Sequence, residues 1–375
     1  MTDDVRRAWA YLSRVAEPPN HELAKLVATH GPVEAAAIIR AGAEPDELRN
    51  AVSARRDIDR AAADLEMLDR RGGRLITVDD PQWPHLAFGV FGSSDVTGRQ
   101  SGRSPLVLWA LGPAALDDVA ARSAAIVGTR ACTSYGEHMA ADLAAGLAER
   151  DVAVVSGGAY GIDGAAHRSV LGIDGVTVAV LACGVDVSYP AGHSGMLHRI
   201  AASGLVLSEY APGERPTRYR FLTRNRLVAA LGGATVVVEA GLRSGAANTA
   251  AWARAMGRTV CAVPGPVTSA ASAGCHVLIR NGTAELVGRA EEIVEIVGRI
   301  GELADDPEHP QMPLDGLSRD EMRVYEALPA RGLRSVEQIA VDAGVPPEHV
   351  LGPLALLEIA GRVERRDGRW RITYG

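Results

Sequence analysis

The chain has 375 residues, a net charge of −7 and a single lysine, Lys25, among its 39 basic residues. That length supports several domains and a large core, and the acidic balance excludes a chain-wide polyanion field, so a nucleic-acid site has to be a local patch. The lysine count excludes a phosphate-loop lysine, a Schiff-base lysine or a Ser–Lys dyad from the middle of the chain, whereas arginine can grip phosphate through its bidentate fork.

Residues 1–72 read as a helical domain. VRRAWAYLSRVA, NHELAKLVATHG, PVEAAAIIRAG and ARRDIDRAAADLEMLDRRGG each carry a helical stripe, with Gly or Pro between them. LVATHGPVEAAAIIRAG resembles a helix-hairpin-helix or sterile-alpha-motif bundle. Residues 73–104 read as a connection: a short strand and proline-rich turn in LITVDDPQWPHLAF, then a mobile Gly/Ser loop over Gly92–Ser104.

From Pro105 the pattern changes. LVLWALG, AAIVG, VAVVSG, VTVAVLACG, GLVLSEY, ATVVVEAG and TVCAVPG are short, valine-rich apolar runs, most followed by an amphipathic helix. Such runs predict strands buried on both faces. The expected fold class is α/β: an extended Rossmann-like, doubly wound parallel sheet over 105–299, with a helical domain before it and a winged helix after it. A linker over 300–314 leads to 315–375, where three helices and a hairpin turning at Asp-Gly predict a winged helix-turn-helix. Its third helix, Pro346–Ala360, holds no Arg or Lys. This favours a protein contact and leaves Arg365, Arg366, Arg369 and Arg371 as the wing's nucleic-acid option.

Loops at the carboxyl ends of parallel strands carry the ligands of this architecture. After the first such strand, Gly128 lacks the glycine pattern of a dinucleotide loop, and Thr129 and Arg130 stand where phosphate would be held. In the next loop Gly157 and Gly158 permit close backbone approach and Tyr160 offers a ring. Asp163 and His167 share a helix face there, and a structural role is favoured because no nucleophile accompanies them. Tyr189 and Pro190 form a binding lip. The Arg215–Ala230 stretch puts five arginines within twelve residues, Arg215, Arg218, Arg220, Arg224 and Arg226, with Tyr219 and Phe221 among them and no acid. Helical spacing in LTRNRLVAAL predicts that Arg224, Asn225 and Arg226 occupy a first helical turn, where free amides favour phosphate. Glu239 ends a strand, and Arg243, Ser244, Gly245 and Thr249 surround the next helix start. Arginines, amide-rich helix starts and tyrosines on one rim predict a groove for single-stranded nucleic acid, with no catalytic residue, cofactor or metal.

The four cysteines, Cys132, Cys183, Cys261 and Cys275, form no C-x-x-C pair and suit a reducing compartment. Without an apolar h-region or a membrane-length apolar run, the expectation is a cytoplasmic protein with no membrane insertion.

The ordered series IVGTR, VVSGGAYGIDGAAH, AVLACGVDVSYP, GLVLSEY, FLTRNR, VVVEAGLRSGAANTA, AVPG and GCHVLIRNG resembles the DprA/Smf family, DNA processing protein A, over about Pro105–Val297. The resemblance implies a Rossmann-like domain that binds single-stranded DNA, usually as a homodimer. It also implies protection of incoming DNA and loading of the RecA recombinase on it in natural transformation. It assigns phosphate contacts to Gly128, Thr129 and Arg130 and to Arg224, Asn225 and Arg226. Two positions depart from the family pattern: Tyr160 stands where Arg is common, and Leu222 where proline is common. The alternative is a nucleotide-processing enzyme of the lysine-decarboxylase-like (phosphoribohydrolase) fold. Against it, EAGLRSGAANTA lacks that family's second glycine pair, and Ala251 or Ala253 falls where its catalytic glutamate would be. A transcription regulator reading duplex DNA is a third reading, disfavoured by the cation-free third helix.

Overall fold

The computed structural model describes residues 1–99, 101–304, 316–329 and 332–373. The chain divides into two compact units, Met1–Asp305 and Asp306–Gly375. Most of the linker expected over 300–314 lies outside the described residues.

Among the described residues the first unit is built on nine strands: β1 Arg74–Thr77, β2 Val107–Leu111, β3 Ser123–Val127, β4 Ala153–Ser156, β5 Thr177–Leu181, β6 Leu205–Ser208, β7 Ala234–Val237, β8 Thr259–Ala262 and β9 Glu285–Leu286. Their order is β1-β2-β6-β5-β4-β3-β7-β8-β9. β3 to β9 are parallel throughout. The direction expected for LVLWALG is corrected: β2 runs antiparallel to both β1 and β6. β2 is buried on both faces, so its apolar run carries no trace of direction.

Helices cover both faces of the parallel strands. On one face Leu227 to Leu231 of helix Arg218–Leu231, with Ala246, Ala250 and Ala253 of helix Gly245–Ala255, pack on Val127, Val155, Val180 and Val237. On the other, Leu143 and Leu147 of helix Ser134–Ala148 and Ala165, Ala166 and Val170 of helix Ile162–Gly172 pack on Ile126, Val154 and Val236. Successive strand residues face opposite layers, so valine alternates between the two cores.

The N-terminal segments form helices Asp3–Val15, His21–Arg40, Asp46–Val52 and Ala61–Arg70. His21–Arg40 breaks at Gly31, whose φ of 75° precedes Pro32; only glycine adopts that conformation cheaply. These helices share a core with Trp109, Leu181 and Val206 of the sheet. Trp109 also donates its indole N–H to Ser13 Oγ at 3.2 Å. The open loop expected over Gly92–Ser104 is corrected at its start: residues 94–97 form helix Ser94–Thr97 and bury Val96 in the sheet's core, while Gln100 lies outside the described residues.

The second unit has its own core of Val324, Ile339, Leu354, Leu357, Val363 and Trp370. Helices Arg319–Glu326, Val336–Ala343 and Leu351–Ile359 precede the hairpin β10 Val363–Arg366 and β11 Arg369–Ile372. Ser318 and Ser335 start the first two helices with capping boxes. Asp367 and Gly368 both have positive φ, 51° and 75°, as a two-residue hairpin turn of matching twist requires. The unit is a winged helix.

Candidate nucleic-acid interface

Strands β3 to β6 wind one way across the sheet, and the chain then returns to place β7 beside β3. Loops leaving the carboxyl ends of β3 and β7 diverge there and open a crevice. It is a cavity of about 670 Å³ lined by the loops after β3, β4 and β7 and by helix Arg218–Leu231.

Two helix starts, at Thr217 and Ser244, border the crevice, and a third, at Thr133, follows the β3 loop; each is capped by a hydroxyl. Thr133 accepts from Gly136 N, Thr217 from Arg220 N and Ser244 from Ala247 N. Glu239, at the end of β7, holds the β3 loop by accepting from Thr133 N at 2.9 Å and Thr133 Oγ1 at 2.6 Å. The start of helix Arg218–Leu231 is anchored to the N-terminal helices. Arg220 is buried and donates to Glu17 at 2.6 and 2.8 Å and to Glu214 at 2.8 Å. Arg14 joins Glu214 at 3.0 Å and Asp64 at 2.7 Å.

Gly128, Thr129, Arg130, Gly157, Tyr189, Arg218, Arg224, Asn225, Ser244, Gly245 and Thr249 all line the cavity. Arg130 and Arg218 are exposed, as is Arg243, which also lines it. None of the three has an acidic partner among the described residues. The guanidinium of Arg130 lies 4.8 Å from the centre of the Phe221 ring, and Tyr189 packs against the same ring at 5.5 Å. The rim therefore offers uncompensated cations beside aromatic faces.

Arg224 forms the floor. It is 5% exposed, and its Nη1 donates to Gly157 O at 2.7 Å and also to Val180 O. Asp163 pins the same loop, accepting from Gly157 N at 3.1 Å and Ala159 N at 3.4 Å. Burial pushes the Asp163 carboxyl up and the Arg224 guanidinium down, and each is opposed by the other's charge. Asn225 donates to Asn248 Oδ1 at 3.2 Å. A Cβ at Gly157 would meet Arg224 Nη1 at 2.3 Å and push the guanidinium off its carbonyl partners.

Four sequence expectations change. The helix begins at Arg218, capped by Thr217, so Arg224, Asn225 and Arg226 lie in its interior and not in its first turn. Arg226 does not reach the cavity. Two residues along a helix turn the side chain by about 200° from Arg224, and Arg226 is fully buried against Glu209 at 2.6 and 2.7 Å. Gly158 also lies outside: it makes a positive-φ turn whose carbonyl accepts from His193 Nδ1 at 3.1 Å. Tyr160 stands edge-on to His193 at 4.7 Å, exposed but away from the cavity lining.

Asp163 and His167 both serve the fold. His167 is buried with Nδ1 2.7 Å from Thr177 Oγ1, and burial pushes its pKa down to about 3, which keeps it neutral. Sequence reasoning missed Phe221 as a site residue. With the true helix start, Arg218, Phe221, Leu222, Asn225 and Val228 fall on one helical face, all of them lining the cavity. The cysteines are all unpaired. Among the described residues no acid, histidine or cysteine cluster could hold a metal, and no helix is long and apolar enough to cross a membrane.

The fold and crevice together define a class: a Rossmann-like α/β protein with a cationic cavity at the switch point of its sheet, followed by a winged helix. The chain belongs to the family described as DNA recombination-mediator protein A, which matches residues 74–298, and residues 308–369 match the DprA winged helix domain. This is the DprA/Smf family that the sequence motifs resemble. A relative from Mycobacterium tuberculosis (strain ATCC 25618 / H37Rv) is 68% identical over 372 residues, 99% of this chain and 95% of that one. The X-ray structure of DNA processing protein A from Streptococcus pneumoniae is similar at a TM-score of 0.61 and 30% identity, covering 79% of this chain and 98% of that one. A structure of DNA processing protein A from Helicobacter pylori, reported for its single-stranded DNA binding mode, is similar at a TM-score of 0.51 and 28% identity. That match covers 59% of this chain and 94% of the other. Family membership makes this a protein of DNA processing and recombination mediation.

Proposed function

We propose that the switch-point cavity binds single-stranded DNA and that the chain acts as a recombination mediator without catalysing a reaction. The observation that carries this reading is the rim. Arg130, Arg218 and Arg243 stand exposed and unneutralised in a cavity also lined by Tyr189 and Phe221, with Arg130 over the Phe221 ring. Cations that track a backbone beside sequence-tolerant stacking faces suit an unpaired strand. The capped helix starts at Thr217 and Ser244 add amide donors for phosphate. The related Helicobacter pylori protein, reported for its single-stranded DNA binding mode, supports the same assignment.

The proposed contacts are Gly128, Thr129, Arg130, Gly157, Tyr189, Arg218, Arg224, Asn225, Ser244, Gly245 and Thr249, with Phe221 and Arg243 added. In the cell the chain would act in the cytoplasm as a homodimer, protecting incoming strands and helping to load the RecA recombinase in natural transformation. Fluorescence polarisation with a short labelled single strand, measured across salt, tests the binding step. Replacing Arg130, Arg218 and Arg243 by glutamine should lower the slope of log K against log salt by about 2, at roughly 0.7 per phosphate contact. A variant with unchanged slope and affinity would overturn the assignment.

A further inference from the structure

The winged helix departs from the usual arrangement, in which the third helix enters the major groove on basic and amide side chains. Helix Leu351–Ile359 carries no cation. It exposes Leu351, Leu356 and Ile359, carries Glu358 in its last turn and is preceded by Glu348. Acids and apolar side chains on that face repel or ignore a phosphate backbone.

The wing has the opposite character. Residues Arg362 to Arg371 hold five arginines and two acids, in a chain of net charge −7. At the tip Arg366 lies directly opposite Arg369 in the antiparallel pair. Like charges facing each other cost stability, so folding alone does not account for them. Glu364 compensates Arg371 and reaches Arg366 at 3.3 Å. Arg369 has no ion-pair partner among the described residues, and Arg365 lies 5.8 Å over the Trp370 ring.

The wing's second strand is stitched to the chain before helix Val336–Ala343 by two bonds between Arg334 and Trp370, at 3.0 and 2.8 Å. The tip is set by the left-handed pair Asp367 and Gly368. The guanidinium groups are therefore presented on a fixed platform.

We propose that this wing, and not the third helix, is a second nucleic-acid contact, a sequence-independent grip on the phosphates of duplex DNA. One observation favours a duplex over a single strand, and a second weighs against base readout. Trp370, the wing's ring, is buried and unavailable for stacking. The helix that would read base edges has no Arg, Lys, Asn or Gln, and its one polar side chain, Glu358, is an acid that phosphates repel. What remains is cation density matched to phosphates. The site is independent of the switch-point cavity, and either can fail without the other.

The test uses the full chain with short labelled duplexes of two unrelated sequences, and a single strand in parallel, across roughly 50 to 200 mM salt. R365Q/R366Q/R369Q spares Arg371, which braces Glu364. It should lower the duplex slope by about 3, at roughly 0.9 per phosphate, and weaken both duplexes alike. The slope for the single strand should stay at the wild-type value. R365K/R366K/R369K should restore the duplex slope, because a lysine serves phosphate as a point charge; a folding defect would show no such rescue. Absence of duplex binding by wild type, an unchanged duplex slope in the glutamine variant, failure of the lysine variant to restore it, or a loss confined to single strands would each overturn the proposal.

Discussion

Arg226 separates a binding role from a structural one most sharply. It is fully buried, and its Nη2 donates to both Glu209 oxygens at 2.6 and 2.7 Å, with the Phe91 ring 5.4 Å from its guanidinium carbon. Arg226→Met removes one partner and strands a buried carboxylate, a change that costs about 3–5 kcal/mol. The folded-to-unfolded ratio should fall by a factor of hundreds or more. Burial already pushes the Glu209 carboxyl up, and Arg226 is the charge that opposes this. Without it the folded chain holds a proton that the unfolded chain releases. Stability of the variant is then lost as pH rises from the ordinary carboxylate range through the raised folded value, so its deficit is smallest in acid. Replacing both partners, as in E209M/R226M, should recover most of the loss, because an apolar pair beside Phe91 leaves no charge buried. Urea unfolding at a series of pH values measures all three. The native Arg226→Met protein should bind single strands with the wild-type salt slope. If it keeps full stability and instead loses about 0.7 of that slope, the buried-pair assignment is wrong.

Phe221→Ala should weaken single-strand binding by about 1–3 kcal/mol per stacked base and leave the salt slope alone, in polarisation assays; a slope change without an affinity change would contradict stacking. Gly157→Ala places a Cβ 2.3 Å from Arg224 Nη1, so melting temperature and single-strand affinity should both fall, whereas Gly195→Ala, in helix Ser194–Ser203 with nothing within 4 Å, should leave affinity unchanged and raise the melting temperature slightly. His167 is held neutral by burial, with its pKa pushed down to about 3. Its stabilisation is complete above the unfolded value of about 6.5 and is lost as pH falls from there, by about 1.4 kcal/mol per unit. His167→Gln should flatten that acid-side loss in urea titrations, and a variant that keeps the wild-type slope would place the effect elsewhere.

The valine-rich runs were readable as strands because burial on both faces leaves almost no polar residue in them, and β3 to β8 appear where those runs stand. The same burial erased direction, so antiparallel β2 could not be told from its parallel neighbours. β9 is two exposed residues and left no pattern. Arg130 and Arg218 were legible as cations of the crevice because a strand-end loop and a helix start at a sheet's carboxyl edge leave such side chains exposed, and both line the cavity. Arg226 was not, because a buried arginine with an acid partner on another strand end looks the same in sequence as a solvent-facing one. The helix start was misplaced because RPTRYRF lacks an apolar stripe, while the Thr217 cap, three residues before Arg220, was the available signal. A helix expected to begin at Leu222 left Phe221 outside it, whereas Phe221 shares a helical face with Arg218 and Asn225.

The most direct measurement is a crystal structure of the full chain with a short oligothymidylate. Phosphates should lie within hydrogen-bond reach of Arg130, Arg218 and Arg243, with a base against Phe221 and the Arg226–Glu209 pair undisturbed. A strand seated elsewhere on the molecule, with the crevice between β3 and β7 empty, would contradict the account.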